Sequence, residues 1–152
     1  MKFLVASDSH GALARLIEMT LVHPDIDNFI FLGDGDRDIE DFMNAYSGCK
    51  FYVVSGNCDH FSQRPDFDVI DTSKGGILYT HGHRFEVKNG LAKLIWGAKK
   101  LNAKVALYGH THIAKTDEID GILFFNPGSI KNGEYGILEL SEKGLYATNL
   151  TL

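Results

Sequence analysis

Cysteine and proline are both scarce in this sequence, with two and three residues among 152. The two cysteines, Cys49 and Cys58, flank an apolar run at residues 51–55. This run predicts a buried strand about 17 Å long, whereas a disulfide needs Cα atoms within about 7 Å. We therefore expect no disulfide. Because proline is scarce and no segment is low in complexity, a disordered tail or linker is not expected either.

Positive charge is also in short supply. Twenty acidic residues against 15 basic ones leave a net charge of −5. A surface that binds nucleic acid or an anionic membrane requires clustered lysine and arginine, so we expect neither kind of partner. An anionic substrate would need positive charge supplied locally at its binding site.

Long hydrophobic runs are missing as well. The apolar run at residues 3–6 is too short for a signal peptide, and no stretch approaches the length of a transmembrane span. These absences predict a cytoplasmic protein. A chain of 152 residues can bury a core of its own, and we expect one domain over residues 1–152.

Short apolar strands alternate with helical patterns over residues 3–108. The predicted strands are at residues 3–6, 29–32, 51–54, 77–79 and 105–108. Such alternation predicts βαβ units with parallel strands. From Ala114 onward, turns at Asp120-Gly121, Asn132-Gly133 and Lys143-Gly144 predict antiparallel hairpins. The predicted fold class is therefore α/β, with two mixed β-sheets packed face to face and flanked by helices.

A polar turn that contains glycine follows each of the five strands. The turns read SDSHG, GDGD, GNCD, THGH and YGHTH, and their candidate site residues are Asp8, His10, Asp34, Asn57, Cys58, His81, His83, His110 and His112. The carboxyl ends of strands form the binding crevice of open α/β sheets, so these turns could converge. Three Asp/His or His/His pairs are spaced i, i+2, and an extended backbone would point both members of a pair to one side.

Any one of these turns has an ordinary explanation. An Asp-x-His can cap the next helix, and Gly-Asp is common in turns. All five together are better explained by a metal site. Carboxylate, imidazole and amide ligands favour Mn²⁺, Fe, Ni²⁺, Co²⁺ or Zn²⁺ over Ca²⁺. Seven or more candidate ligands exceed the needs of one ion, which predicts two ions that share a carboxylate.

With these motifs in this order, and NPGS after them, the sequence resembles the calcineurin-like metallophosphoesterase superfamily, in particular its small bacterial and archaeal phosphodiesterases. The resemblance runs from Asp8 to Ser129. It implies a metallophosphoesterase-like sandwich with a dinuclear site at the strand ends and a small phosphoester substrate. It also implies hydrolysis of P–O bonds by a hydroxide that bridges the two metals. We expect manganese as the metal, with nickel, iron, cobalt or zinc as alternatives.

The resemblance implies a role for each motif residue. The first ion would be held by Asp8, His10 and His112, the second by Asn57, His81 and His110, and both by Asp34. In the family arrangement, Asn57 and His110 are the neutral ligands closest to the developing charge. His83 has no ligand position in the family pattern and would contact phosphate or support a ligand. The NPGS segment is expected to close the rim of the site through backbone groups.

Cys58 departs from the wider superfamily, in which a histidine at this position protonates the leaving group. Two nearby cations would lower the pKa of Cys58 and make it a poor acid, or the residue only fills the turn. In either case the usual general acid is missing, although His60 or His83 could supply the proton instead. We therefore expect good leaving groups to be hydrolysed best.

Two other kinds of protein share features of this sequence. A eukaryotic retromer subunit keeps this fold as an interaction scaffold after losing key site residues, but here every expected ligand is present. Amidohydrolases also use His-x-His, yet they are barrels of about 250 residues. A homo-oligomer is a further expectation to test, because Trp96 lies off the apolar stripe of its helix. It would mark an oligomer contact or the rim of the site, or simply lie over lysine side chains.

Overall fold

The computed structural model describes residues 1–152 and contains ten β-strands in two five-stranded sheets. The strands are β1 (Lys2–Ala6), β2 (Asn28–Phe31), β3 (Lys50–Val53), β4 (Phe67–Ile70), β5 (Gly76–Thr80), β6 (Ala103–Leu107), β7 (Lys115–Ile119), β8 (Ile122–Asn126), β9 (Glu134–Ser141) and β10 (Gly144–Thr151). The first sheet has the order β10-β9-β1-β2-β3 and the second β4-β5-β6-β8-β7. The predicted pair of mixed sheets is confirmed.

Six strands run parallel to a sheet neighbour. In the first sheet these are β1, β2 and β3, while β9 and β10 are antiparallel to their neighbours. In the second sheet they are β5, β6 and β8, and the antiparallel strands β4 and β7 form the edges. All five of the predicted polar turns follow one of these parallel strands, which is what allows them to meet.

Three α-helices pack on the sheets: α1 (Leu13–Val22), α2 (Asp36–Ala45) and α3 (Ala92–Lys100). Short 3-10 helices lie at His83–Phe85, Val87–Asn89 and Ile130–Asn132. The apolar residues of α1 and α2 pack on the first sheet, and those of α3 pack on the second.

Alternation along β1 divides the core into layers. Phe3 and Val5 face the layer between the sheets, where Phe125 of the second sheet also lies. Leu4 and Ala6 point the other way, toward α1 and α2, because successive side chains of a strand alternate between its faces. Burial of a large apolar side chain contributes about 1.5–3 kcal/mol. Strand β1 is thus fixed from both faces, and so is the turn that follows it.

One of the three predicted hairpins is wrong. The turns at Asp120-Gly121 and Lys143-Gly144 join the antiparallel pairs β7–β8 and β9–β10. Asn132-Gly133 instead ends a 3-10 helix, and Gly133, with φ of 84°, leads into β9 of the other sheet. Glycine supplies a left-handed residue at the end of a helix as readily as in a hairpin, so the dipeptide alone cannot distinguish the two.

Trp96 is 63% exposed on α3. The Nζ atom of Lys100 lies 4.6 Å from the centre of its ring. This contact supports the interpretation that Trp96 lies under a lysine side chain, and no oligomer contact is needed to explain its position.

The two cysteines are free, as the sequence predicts. No helix has both the length and the apolar character that a membrane crossing requires.

Candidate metal centre

Five of the predicted site residues adopt left-handed backbone conformations. Their φ angles lie between 42° and 67°, and they are Asp8, His10, Asp34, His110 and His112. Non-glycine residues rarely adopt such values, which cost about 1–3 kcal/mol each. The expectation that an extended backbone aligns the i, i+2 pairs is therefore wrong. Sharp turns just beyond the strands bring the side chains together instead.

Asp8 is the centre of the first group of side chains. Its Oδ2 accepts hydrogen bonds from the hydroxyl of Ser7 and, at 3.1 Å, from the backbone N–H of His110. Its Oδ1 is buried without a hydrogen-bond partner, 3.0 Å from Nε2 of His112 and 3.7 Å from Nε2 of His10. A buried carboxylate oxygen is costly unless a positive partner faces it.

His81 is the centre of the second group. Its Nδ1 donates to the carbonyl oxygen of Leu32 at 2.8 Å. Since a carbonyl can only accept, this bond fixes the ring and turns Nε2 toward the other side chains. Around Nε2 lie Oδ1 of Asn57 at 3.1 Å, Nδ1 of His110 at 3.1 Å and Oδ2 of Asp34 at 3.4 Å.

Asp34 lies between the two groups. Its Oδ1 accepts the backbone N–H of Cys58 at 2.8 Å. Its Oδ2 is 3.4 Å from Nε2 of His81 and 3.8 Å from Nε2 of His10. One carboxylate oxygen is held by the backbone, and the other faces histidines of both groups.

The charges of Asp34 and His81 support each other. Burial would raise the pKa of Asp34, but the hydrogen bond and charge of His81, with the N–H of Cys58, hold that pKa well below its usual range. Burial would lower the pKa of His81, but Asp34 and Asp8 raise it above its ordinary value. Burial and the neighbouring His81 lower the pKa of His110 to about 4. His110 is therefore neutral at pH 7 and has a nitrogen free to bind a cation.

Cys58 and His83 lie beside these groups. Cys58 is exposed, and its Sγ lies within 4.8 Å of potential ligand atoms of His10 and Asp34. In the metal-free protein, burial and Asp34 raise the pKa of its thiol, and the lowering expected from two bound cations stays a prediction. The ring of His83 is centred 5.5 Å from that of His81 and 6.2 Å from that of His110, and its Nδ1 is buried without a partner. His83 is a neighbour of the centre and belongs to no potential ligand group.

Asp59 is a functional residue to which the sequence argument gave no role. Its carboxylate accepts backbone N–H bonds from Asp34, Gly35, Asp36 and Gly56 at distances of 2.7–3.0 Å. These bonds join the turn that carries Asp34 to the turn that carries Asn57. The sequence signal was present in GNCD, but spacing does not distinguish a carboxylate that binds backbone from one that binds metal.

The NPGS segment acts differently from the expectation. Asn126 and Ser129 are fully buried rather than on a rim. The amide of Asn126 donates to the carbonyl oxygen of Gly109 at 3.0 Å, and the hydroxyl of Ser129 donates to that of Asp8 at 2.8 Å. The segment therefore fixes two ligand-bearing turns from behind, through its side chains.

The donor atoms fit divalent cations. The structure contains three potential ligand groups, in each of which the atoms lie within 4.8 Å of one another: Asp8, His10 and His112; His10, Asp34 and Cys58; Asp34, His81 and His110. Carboxylate oxygen with imidazole nitrogen suits first-row transition metals and zinc. A cation would also provide the missing partner for Oδ1 of Asp8. The structure thus brings together all the side chains that the sequence predicted as ligands, Asn57 included.

Comparison with known proteins agrees with this description. The family model for the calcineurin-like phosphoesterase superfamily domain matches residues 1–143. Phosphodiesterase YfcE of Escherichia coli strain K12 is 29% identical to this chain in an alignment 181 residues long. The alignment covers 98% of this chain and 93% of YfcE. The crystal structure of a predicted phosphoesterase from Streptococcus pneumoniae TIGR4 matches with a TM-score of 0.84 and 28% identity, and covers 99% of this chain and 88% of that one.

The same fold also occurs in a protein that is not named as a phosphoesterase. Vps29 of Entamoeba histolytica, in a crystal structure complexed with Zn²⁺, matches with a TM-score of 0.78 over 99% of both chains. The two sequences are 20% identical, so this likeness concerns the fold alone.

Proposed function

Because the chain belongs to the calcineurin-like phosphoesterase superfamily, we propose that it is a phosphodiesterase that uses two divalent metal ions, with manganese as the expected metal. It would hydrolyse a P–O bond of a small phosphoester. The name of YfcE supports the choice of a diester. The observation that carries the proposal is the position of Asp34, whose Oδ2 faces histidines of both ligand groups.

The chain offers a ligand set for each ion. Asp8, His10 and His112 would hold one, Asn57, His81 and His110 the other, and Asp34 both. When bound, such ions act as Lewis acids on phosphoryl oxygens and lower the pKa of a water molecule. The fixed ring of His81 and the backbone-held Oδ1 of Asp34 would orient these ligands before any ion arrives.

The charge of the ligands suits an anionic substrate. Asn57 is uncharged, and His110 is neutral at pH 7 because its pKa is about 4. Only the carboxylates of Asp8 and Asp34 would offset the charge of two ions, so a phosphate would be attracted locally to an otherwise acidic protein. His83, next to the rings of His81 and His110, would then contact a phosphoryl oxygen.

The test is metal-dependent turnover. Protein stripped with a chelator is reloaded with Mn²⁺, Ni²⁺ or Zn²⁺, and the hydrolysis of bis(p-nitrophenyl) phosphate and p-nitrophenyl phosphate is measured together with metal content. We expect no turnover without metal, recovery with manganese, a preference for the diester and two ions per chain. Asp8→Ala should abolish turnover, whereas Asp71→Ala, at an exposed loop residue, should not.

The scaffold alternative makes the opposite prediction. The absence of metal-dependent turnover of either ester would overturn the enzyme proposal, whether or not the protein binds metal. One ion per chain with full turnover would overturn the dinuclear part alone.

A further inference from the structure

A turn beside the candidate metal centre presents an aromatic side chain to solvent. Phe61 is 100% exposed, whereas the tips of turns usually carry small or polar residues. The backbone N–H of Ser62 donates to the carbonyl of Asp59 at 3.1 Å. His60 and Phe61 are therefore the two central residues of a tight turn. A phenyl ring in this position contributes no buried area to the fold, so packing does not explain it.

The turn is anchored at both of its ends. Asp59, at its start, accepts the four backbone N–H bonds described above. Ser62, at its end, donates its hydroxyl to Oδ1 of Asp36 at 3.3 Å, and Arg64 pairs with the same carboxylate. Both ends are thus tied to the start of α2. A ring on an anchored turn loses less freedom on binding than one on a loose loop.

A cavity of about 480 Å³ lies along one side of the metal centre and is lined by this ring. Of the proposed ligands, His10 and Asp34 line it, together with Cys58 and Phe61. The volume lies within the roughly 300–1,000 Å³ typical of small-molecule sites. A phosphoester whose phosphoryl group is held at the centre therefore has room to extend its organic group toward Phe61.

Three carboxylates of this cavity are already engaged. Asp36 pairs with Arg64, and Asp59 is used by backbone N–H groups. Asp38 accepts the hydroxyl of Ser9 at 2.5 Å and the backbone N–H of Gly11 at 2.8 Å. These groups have little capacity left to accept hydrogen bonds from a ligand. Arg37, Glu40 and His60 also line the cavity, and Phe61 is its one large apolar side chain, which offers a face to a planar organic group.

We infer that Phe61 stacks on an aromatic group of the phosphoester, a phenyl ring or a nucleobase, and so selects aryl or nucleoside esters over alkyl esters. This inference rests on the proposed function, because the phosphoryl group must be held at the metal centre. Offset stacking of two rings adds binding energy beyond the area that is buried. Loss of such a contact typically weakens binding by about 5- to 20-fold.

Two ligands that differ only in their organic group isolate the effect of the ring. Phenyl phosphate and methyl phosphate are titrated calorimetrically into the manganese-loaded protein. The wild type should bind phenyl phosphate about 5- to 20-fold more tightly than methyl phosphate. Phe61→Ala should abolish this preference without changing the Kd of methyl phosphate. Phe61→Leu, which is apolar but has no ring face, should retain at most a small part of it.

The control is Trp96→Ala, which removes an exposed aromatic ring on α3 and should change neither Kd. A preference that persists in Phe61→Ala, or persists in full in Phe61→Leu, overturns the inference, as does its absence from the wild type. Turnover of bis(p-nitrophenyl) phosphate by the same samples separates the two proposals. If metal-dependent turnover is absent, the proposed function fails. If it is present and the preference for phenyl phosphate does not depend on Phe61, only the stacking inference fails.

Discussion

Among single residues, Asp34 is the one on which the proposed dinuclear centre would depend most. Its two oxygens have different tasks, since Oδ1 accepts the N–H of Cys58 while Oδ2 faces His10 and His81. Replacement of an outer partner of a metal ligand typically costs about 10–100-fold in affinity or activity. Asp34→Asn should cost more than that, and more than any other single ligand change, because it loosens both ions.

Metal content and rate should be measured together for this variant. We expect Asp34→Asn to lose both ions in parallel with activity, and Asp71→Asn, at an exposed residue, to lose neither. A variant at Asp34 that keeps two ions and near-normal turnover would show that this carboxylate is not shared.

Cys58 should decide which leaving groups are accepted. Its thiol stands where a general acid would be useful, and such an acid typically contributes about 10²–10⁴-fold. Cys58→His should therefore accelerate esters with alkoxide leaving groups while changing aryl esters little, and Cys58→Ser should change neither. The measurement is the slope of log kcat/KM against the pKa of the leaving group. A flat slope in the wild type would mean that another acid, such as His60 or His83, already serves.

The convergence of these side chains could be predicted from the sequence because each motif places a distinctive side chain just after a strand. The backbone conformation of these residues could not be predicted. His10 and His112 adopt left-handed conformations, which depend on tertiary bonds such as that between the N–H of His10 and the carbonyl of Asp34 at 3.2 Å. Asp59 was missed for the same reason, since its partners are backbone groups of a distant turn.

At the scale of elements, helix α2 depends on a residue from another turn. No side chain of its own caps its first N–H groups. Asp59 accepts the N–H groups of Gly35 and Asp36 instead, each at 3.0 Å. A carboxylate at this end also interacts favourably with the helix dipole. The same contact sets the distance between the Asp34 and Asn57 turns.

Asp59→Asn should weaken both the helix and the centre. The amide has one oxygen where the carboxylate has two, and its NH₂ would face N–H groups. We expect a lower melting temperature and about 10–100-fold weaker manganese binding. The control is Ser62→Ala, in the same turn, which removes the 3.3 Å bond to Asp36 and the 3.2 Å bond from the backbone N–H of Arg64, and should change metal affinity little. Unchanged metal affinity in Asp59→Asn would mean that this residue only caps the helix.

The elements themselves were largely predictable, and their pairing was not. Apolar runs located β1, β2, β3, β5 and β6, because buried parallel strands carry continuous apolar sequence. The sequence could not show that β8 joins β6 in parallel while β9 crosses to the other sheet. That choice follows from which faces are buried on folding, and a turn such as Asn132-Gly133 allows either path.

At the scale of the whole molecule, the candidate centre spans the seam between the sheets. Asp8, Asp34 and Asn57 follow strands of the first sheet, whereas His81 and His110 follow strands of the second. A ligand that binds only the folded state stabilises it in proportion to the logarithm of its concentration above Kd. Metal bound here would therefore hold the two sheets together and raise the melting temperature.

Without metal, stability should be greatest near pH 6.5. The pKa of His110 is lowered from 6.5 to about 4, so the unfolded chain binds more protons between these values and stability falls as the pH drops. The pKa of His81 is raised above 6.5, so its contribution is complete below that pH and is lost as the pH rises through the folded value. Further acidification also removes the contribution of Asp34, whose pKa is lowered.

Urea unfolding in a chelator at pH 4–9 measures this profile. The decline below pH 6.5 should be smaller in His110→Asn than in the wild type, and the part that remains comes from groups such as His83, whose pKa is also lowered by burial and by His81. A wild-type profile that is flat between pH 4 and 6.5 would contradict the prediction.

The pairing of β1 with β9 has a consequence for how the chain is made. The carboxylate of Asp8 and the backbone N–H of His110, 102 positions apart, meet only when both sheets exist. During synthesis, β1 cannot pair with β9 until Glu134–Ser141 has emerged from the ribosome. Such distant contacts slow folding, and until then one edge of β1 remains open to other chains. Metal would therefore bind only after β9 has emerged, and a nascent chain interrupted before β9 would be prone to aggregate rather than to bind it.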